Sequence, residues 1–481
     1  MEFPSDLGDE AAPRKHFIIA SARSFKDTII RDQVRRMFKI TRRSQFSIAL
    51  GISHPVRKKT VVAKMRTSFA QVRTTHKTPS LFARSAVPAA CWLAAAFFFT
   101  FAFVASAQER TLDELKSEVQ ARAERQAYPC EGLKPDEVHE SLAQLKSLAP
   151  DDWAAAWSSL GDRYMQKASG EASSPAIADK DFIQAWVYYN FARWPALTSP
   201  GKQAAYQKAL DAYRAHGRLL HPPLEVVEIP FEGNEITAYL RMPANKTPAP
   251  IVIVIPGLDR GKENMAESVR PLIDSGIGYL VLDAPGTGQA PIKAGPNAGR
   301  MLVQAIDYAL GRPDVAKDRV AVYGVSFGAF WSTELAATEK KRLRAAVAQS
   351  PPVHDAFQRS KTMEMAKNRE FLFDYAQAYM AMFGVSTLAA LADVRETMSL
   401  KTRGLLDRPT APMLVIGGAL DTQVPVSDID LLLNSGQTPK DAWINPQGGH
   451  MGRDAKGWSN PRIFETVTAP WLLRTLADHP E

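Results

Sequence analysis

The sequence predicts an α/β fold, a mostly parallel sheet covered by helices, with a helical domain in front of it. Three observations predict this. Apolar runs such as APIVIVIPG and GYLVLDAPG show no polar alternation and so read as strands buried on both faces. These runs interleave with helical segments, as a parallel sheet requires. The stretch from Thr111 to about His221 lacks strand-like alternation and is rich in Ala, Gln, Glu, Lys and Leu, residues that favour helix.

In chain order, helices are expected near 112–127, 136–148, 151–168, 179–194 and 201–219, separated by the breaker-rich YPCEGLKP, SGEASSP and WPALTSPG. Thr111 and Glu114 form a capping box ahead of the first. The aromatic series Trp153, Trp157, Trp186, Tyr188, Tyr189 and Trp194 reads as packing between helices or as the lining of an entrance. Short strands follow in LEVVEIPFEGNEITAYLRMP. Buried strands then end at IVIVIPG, GYLVLDAPG, VAVYGV, RAAVAQSPP, PMLVIGGAL and DAWINPQGG, with helical NMAESVRPLIDSG, NAGRMLVQAIDYALG and AFWSTELAATEKK between them. Open α/β sheets place their sites outside the carboxyl ends of such strands. Three regions result: 1–107, a basic leader; 108–223, a helical cap; and 224–481, the α/β domain with a helical insertion at about 353–408. In that insertion Met363, Phe373, Tyr379, Met380 and Phe383 read either as an adaptable apolar pocket wall or as ordinary core.

The 481 residues are 45% hydrophobic and 23% charged, an ordinary globular composition. The net charge of +8 is unevenly spread: residues 1–107 hold 18 Lys and Arg against 6 Asp and Glu, leaving 41 basic and 45 acidic beyond. A nucleic-acid-binding surface on the folded part is therefore not expected. Within the leader, Arg73, Lys77 and Arg84 precede an apolar run that ends in Ala105-Ser106-Ala107, the pattern of a cleaved export signal. The signal spans 65–107, with 1–64 an upstream extension, and the expected destination is the periplasm or the exterior. An uncleaved anchor over Ala86–Val104 is the alternative, and the only membrane contact expected. Of the two cysteines, Cys91 lies in the signal and Cys130 beyond it, so cleavage leaves a single thiol. No HExxH, paired CxxC or close histidine cluster suggests a metal.

Chemistry is suggested by VAVYGVSFGAFW, in which Gly324-Val325-Ser326-Phe327-Gly328 fits GxSxG. A strand reversing sharply into a helix forces its turn residue into a strained conformation that only tiny neighbours tolerate, and the turn lifts the serine hydroxyl above the sheet. A serine needs a base, and a carboxylate to hold that base in the right tautomer. Among the six histidines beyond the leader, His450 sits in the glycine-rich loop NPQGGHMGR after a late strand, and His354 is its competitor. Asp421 follows the buried strand of LVIGGALDTQVP by a few residues. The order Ser326, Asp421, His450 is the nucleophile, acid, base order of α/β hydrolases. A turn-stabilising aspartate and an incidental loop histidine are the plainer reading. Backbone N–H groups of Phe327 and Leu258 are the expected oxyanion donors, although Pro256-Gly257-Leu258 stands where lipases and esterases carry a His-Gly pair.

IPGLDRGKEN, LVLDAPGTGQA, DRVAVYGVSFGAF and GALDTQVP, with helices in front, resemble the 2,6-dihydropseudooxynicotine hydrolase and FrsA-type esterase group over roughly Thr111 to Leu476. The resemblance implies an α/β-hydrolase core under a helical cap, with a DxPGxG turn at Asp283, Pro285, Gly286 and Gly288. It also implies an assisting acid at Asp259, which as a residue type reads equally as a loop cap. The expected activity is hydrolysis of a carboxylic ester through an acyl-enzyme, without metal or organic cofactor. Cleavage of a carbon–carbon bond beside a ketone, amide hydrolysis, or a non-catalytic binding module on the same scaffold are the alternatives. The expected partner is a small molecule with an ester or ketone carbonyl, and a homo-oligomer is left open. Mass spectrometry of the exported protein is expected to find Gln108 as its first residue; a mature chain retaining Ala86–Val104 would point to the anchor.

Overall fold

The computed structural model describes residues 110–170 and 174–477. The leader, its signal and Cys91 lie outside the described residues. The front segment folds into α1 (Leu112–Glu124), α2 (Pro135–Gln144), α3 (Pro150–Ala168), α4 (Pro175–Arg193) and α5 (Pro200–Leu219). The capping box at Thr111 and Glu114 forms as expected. The other helix starts differ from expectation in an instructive way. Pro135, Pro175 and Pro200 belong to breaker stretches in the sequence, yet each is the first residue of a helix, as is Pro150. Proline at that position loses no hydrogen bond and brings a pre-set φ, so one residue ends the loop and begins the helix.

The apolar runs become one sheet of eight strands in the order β1-β2-β4-β3-β5-β6-β7-β8. They are β1 (Glu225–Phe231), β2 (Asn234–Arg241), β3 (Ala249–Ile255), β4 (Gly278–Leu282), β5 (Val315–Val325), β6 (Ala345–Gln349), β7 (Met413–Gly418) and β8 (Lys440–Asn445). The first two form an antiparallel hairpin, and β2 also meets β4 antiparallel. From β4 onward every pairing is parallel. Helices α6 (Lys262–Val269), α7 (Gly299–Gly311) and α8 (Phe327–Thr338) cover the sheet. Every residue of β3, β4, β6 and β7 is buried, which is why their sequences show no alternation. The insertion is broken into the short helices α9 (Arg359–Met363), α10 (Tyr375–Phe383) and α11 (Leu388–Glu396). A further helix, α12 (Val426–Asn434), follows β7.

One buried ion pair fixes the loops at the carboxyl ends of β3 and β4. Lys262 is fully buried, and its Nζ lies 3.0 Å from Asp283 Oδ2. Asp283 also accepts from the backbone N–H of Lys262 and of Gln289, each at 2.9 Å. Burial disfavours the charge on Asp283, but the ammonium of Lys262 and the two N–H groups outweigh it and hold the carboxyl below its ordinary value. The DxPGxG aspartate thus ties its own turn to the loop after β3. Asp283→Ala leaves the buried ammonium with Glu263, 3.0 Å away, as its remaining carboxylate and unties the two loops. It is expected to cost about 3 kcal/mol of stability in urea unfolding, the low end for breaking a buried pair.

Candidate active site

The turn between β5 and α8 explains the two glycines of GxSxG. Ser326 has φ 53° and ψ −121°, a region costly for any side chain. A Cβ on Gly324 would lie 2.0 Å from the carbonyl oxygen of Gly328, and one on Gly328 would lie 2.2 Å from that of Ile255. No rotation relieves a clash with backbone, so both positions demand glycine. The turn is held by the Ser326 N–H, which donates to the Gln349 carbonyl on β6 at 2.8 Å, and by Ser332 Oγ, which donates to Val347 O at 2.9 Å. As the first residue of α8, Phe327 has an N–H with no partner inside the helix, at the positive end of its dipole. Gly257 presses on the serine, since a Cβ there would lie 3.1 Å from Ser326 Cβ. A Cβ on Gly257 would also lie 3.6 Å from Ser326 Oγ, so the Gly257-Leu258 backbone runs close to the hydroxyl.

The structure brings Ser326, His450 and Asp421 together. His450 Nε2 is 2.9 Å from Ser326 Oγ, and Nδ1 is 2.9 and 3.1 Å from the two oxygens of Asp421. Asp421 follows β7, and its Oδ1 also accepts the N–H groups of Gln423 and Val424 at 2.9 Å each. Burial pushes the Asp421 carboxyl up, but His450 and these two N–H donors hold it below the usual carboxylate value. For His450 burial favours the neutral ring, yet the Asp421 carboxylate prevails, helped by Glu370 and opposed by Arg453, and the imidazole lies above its ordinary value. The arrangement can take a proton from the hydroxyl and stabilise the imidazolium that results. The competitor His354 is engaged elsewhere, with its Nδ1 2.8 Å from Ser399 Oγ.

The loop that carries His450 is pinned by residues the sequence did not single out. Gln349 Nε2 donates to Met451 O, and the Met451 N–H donates to Ser350 Oγ, each at 2.9 Å. Arg453 donates from Nε to His450 O at 3.0 Å and pairs with Glu370 at 2.8 Å. Glu370 Oε2 also accepts from Thr422 Oγ1 at 3.3 Å, so it spans the loops that carry His450 and Asp421.

A cavity of about 140 Å³ opens on Ser326 and His450, bordered by Leu258, Asp259, Tyr128 and Phe371. Of the five insertion residues considered for its wall, only Tyr379 borders it. Met363 is exposed, Phe373 packs on Trp153 and Trp194, and Phe383 packs on Phe327. A second cavity of about 240 Å³ lies beside it, bordered by Trp186, Trp194 and Asn190. Trp153, Trp157, Tyr188 and Tyr189 are instead fully buried packing residues. Asp259 is not a loop cap: its Oδ2 accepts the Tyr128 hydroxyl at 2.6 Å and the Trp194 indole N–H at 2.8 Å, both from the helical segment.

A family profile described as Esterase FrsA-like matches residues 135–447, well over half of the chain. The chain belongs to the FrsA-like esterase family. Esterase FrsA of Photobacterium profundum is 26% identical over 318 residues, 65% of this chain and 74% of that one. Esterase FrsA of Escherichia fergusonii is 30% identical over 292 residues, 59% and 69%. Among solved structures, 2,6-dihydroxy-pseudo-oxynicotine hydrolase superposes with a TM-score of 0.60 at 19% identity, covering 75% of this chain and 95% of its own. AbyA5 follows with 0.59 at 20%, covering 76% and 93%. These likenesses agree with the α/β-hydrolase core of this FrsA-like esterase.

An NMR titration of the FrsA-like esterase is expected to give His450 a pKa above the ordinary 6.5 or so. Asp421→Ala should lower it, because burial then acts with no carboxylate to oppose it.

Proposed function

We propose that this ester hydrolase cleaves a small carboxylic ester through an acyl-enzyme on Ser326. One observation carries the reading: a single imidazole is shared at 2.9 Å by the strained hydroxyl of Ser326 and the buried carboxylate of Asp421. Asp421 accepts the Nδ1 proton and so leaves the Nε2 lone pair facing the hydroxyl. Ser326 Oγ attacks the ester carbonyl carbon as its proton passes to His450 Nε2. The carbonyl oxygen becomes an oxyanion, held by the N–H groups of Leu258 and Phe327. Collapse of this intermediate breaks the bond to the alkoxy oxygen, which leaves as alcohol with the proton from His450. Water then attacks the acyl carbon, giving its proton to His450, and the acid departs as that proton returns to Ser326.

The raised pKa of His450 sets the pH response. The base must be neutral, so kcat/KM rises with pH through a midpoint above about 6.5, while the depressed Asp421 stays charged throughout. Turnover of p-nitrophenyl esters and labelling by a fluorophosphonate test the assignment together. Ser326→Ala is expected to abolish labelling and lower kcat by on the order of 10⁴- to 10⁶-fold. A folded wild-type chain that is neither labelled nor active on any ester would instead indicate a binding module.

A further inference from the structure

The two cavities share a border of Glu131, Asp259, Arg260 and Ser268, and one hydrogen-bonded node is built on it. Tyr128 borders the cavity over Ser326, whereas Trp194 borders the neighbouring one. Both donate to the same oxygen, Oδ2 of Asp259, and Asp259 borders both cavities. The tyrosine is also clamped across its ring. The guanidinium of Arg453 lies 4.7 Å from its centroid and that of Arg260 5.3 Å. Each arginine is fixed in turn by a carboxylate at 2.8 Å, Glu370 for Arg453 and Glu131 for Arg260. Phe371 meets the ring edge to face at 6.0 Å. A ring held by a hydroxyl bond, two cations and an aromatic edge cannot swing aside without breaking several contacts.

We propose that Tyr128 is the specificity-determining wall of this site. It ends the cavity over Ser326 and excludes the substrate from the neighbouring cavity, so the protein accepts esters that are compact on that side. The second cavity is the room that a longer substituent would occupy once the ring is removed. Its lining is mixed: Trp186, Val187, Phe191 and Trp194 would meet the alkyl or aryl part of such an extension, and Asn190, Asn264 and Glu267 also border it. The specificity claim rests on the ester-hydrolase reading, but the position of the wall does not, so a probe of Ser326 itself is the test of choice.

The experiment measures the rate at which p-nitrophenyl alkylphosphonates, from methyl to octyl, inactivate the full-length protein, alongside turnover of p-nitrophenyl esters of matching length. For the wild type the rate is expected to fall as the chain lengthens. Tyr128→Ala should raise the octyl-to-methyl ratio by about tenfold or more. Tyr128→Leu, which keeps apolar packing where alanine leaves a void, should raise it by less. Tyr128→Phe keeps the ring and should keep the wild-type ranking. An unchanged ratio in both truncations overturns the proposal, and so does a shift in Tyr128→Phe as large as that in Tyr128→Ala. Shifted phosphonate ratios without ester turnover would uphold the wall and sink the ester reading. No inactivation at any length in any variant would sink both.

Discussion

The whole site depends on backbone crossing backbone at distances that leave no room for a side chain. The carbonyl oxygen of Gly449 lies 2.2 Å from where a Cβ on Gly418 would be, just as the elbow glycines Gly324 and Gly328 meet the carbonyls of Gly328 and Ile255. These crossings sit at the carboxyl ends of β3, β5 and β7, the three strands whose loops deliver Leu258, Ser326 and Asp421. Strain at Ser326 is of order 1–3 kcal/mol, and it persists because the surrounding parallel strands fix both sides of the turn. The same strain aims the hydroxyl at the imidazole.

Around that constraint the charged groups nearest the site are paired. The Asp421 carboxylate has His450 and two N–H groups, Asp283 has Lys262, and Arg453 has Glu370. Each pair also joins segments distant in sequence. Asp283 couples the loops after β3 and β4, and Glu370 couples the insertion to the loops that carry His450 and Asp421. Arg122 of α1 donates to the Glu370 carbonyl at 2.6 Å, and Arg110 donates to those of Phe371 and Leu372 at 2.7 Å. The helical segment thus positions the stretch that carries Glu370 and Phe371 over the site. Through Tyr128 and Trp194 it also grips Asp259, the residue next to Leu258, so the geometry of the reaction site is shared between the sheet and the helices in front of it.

Much of this is legible in the sequence because it is local. The strand-to-helix turn needs glycine two residues either side of the serine, and a histidine or aspartate just past a buried strand is brought near it by the topology of the sheet. Ser326, Asp421 and His450 can be named on that basis. Gln349, Ser350 and Tyr128 cannot, since their roles come from partners about a hundred residues or more away, Met451 and Asp259. The apolar side chains of the insertion show the same limit. Phe371 and Phe373 are two residues apart, alike in type and both against Trp194, yet the first borders the cavity and the second turns to Trp153. Periodicity cannot choose between them where the backbone is irregular.

The most direct measurement is a crystal structure of the protein after reaction with an alkyl fluorophosphonate. The account predicts phosphorus bonded to Ser326 Oγ, with the phosphonyl oxygen about 2.7–3.1 Å from the N–H groups of both Leu258 and Phe327. Phosphorus on another residue, or an oxygen turned away from those two amides, would contradict it.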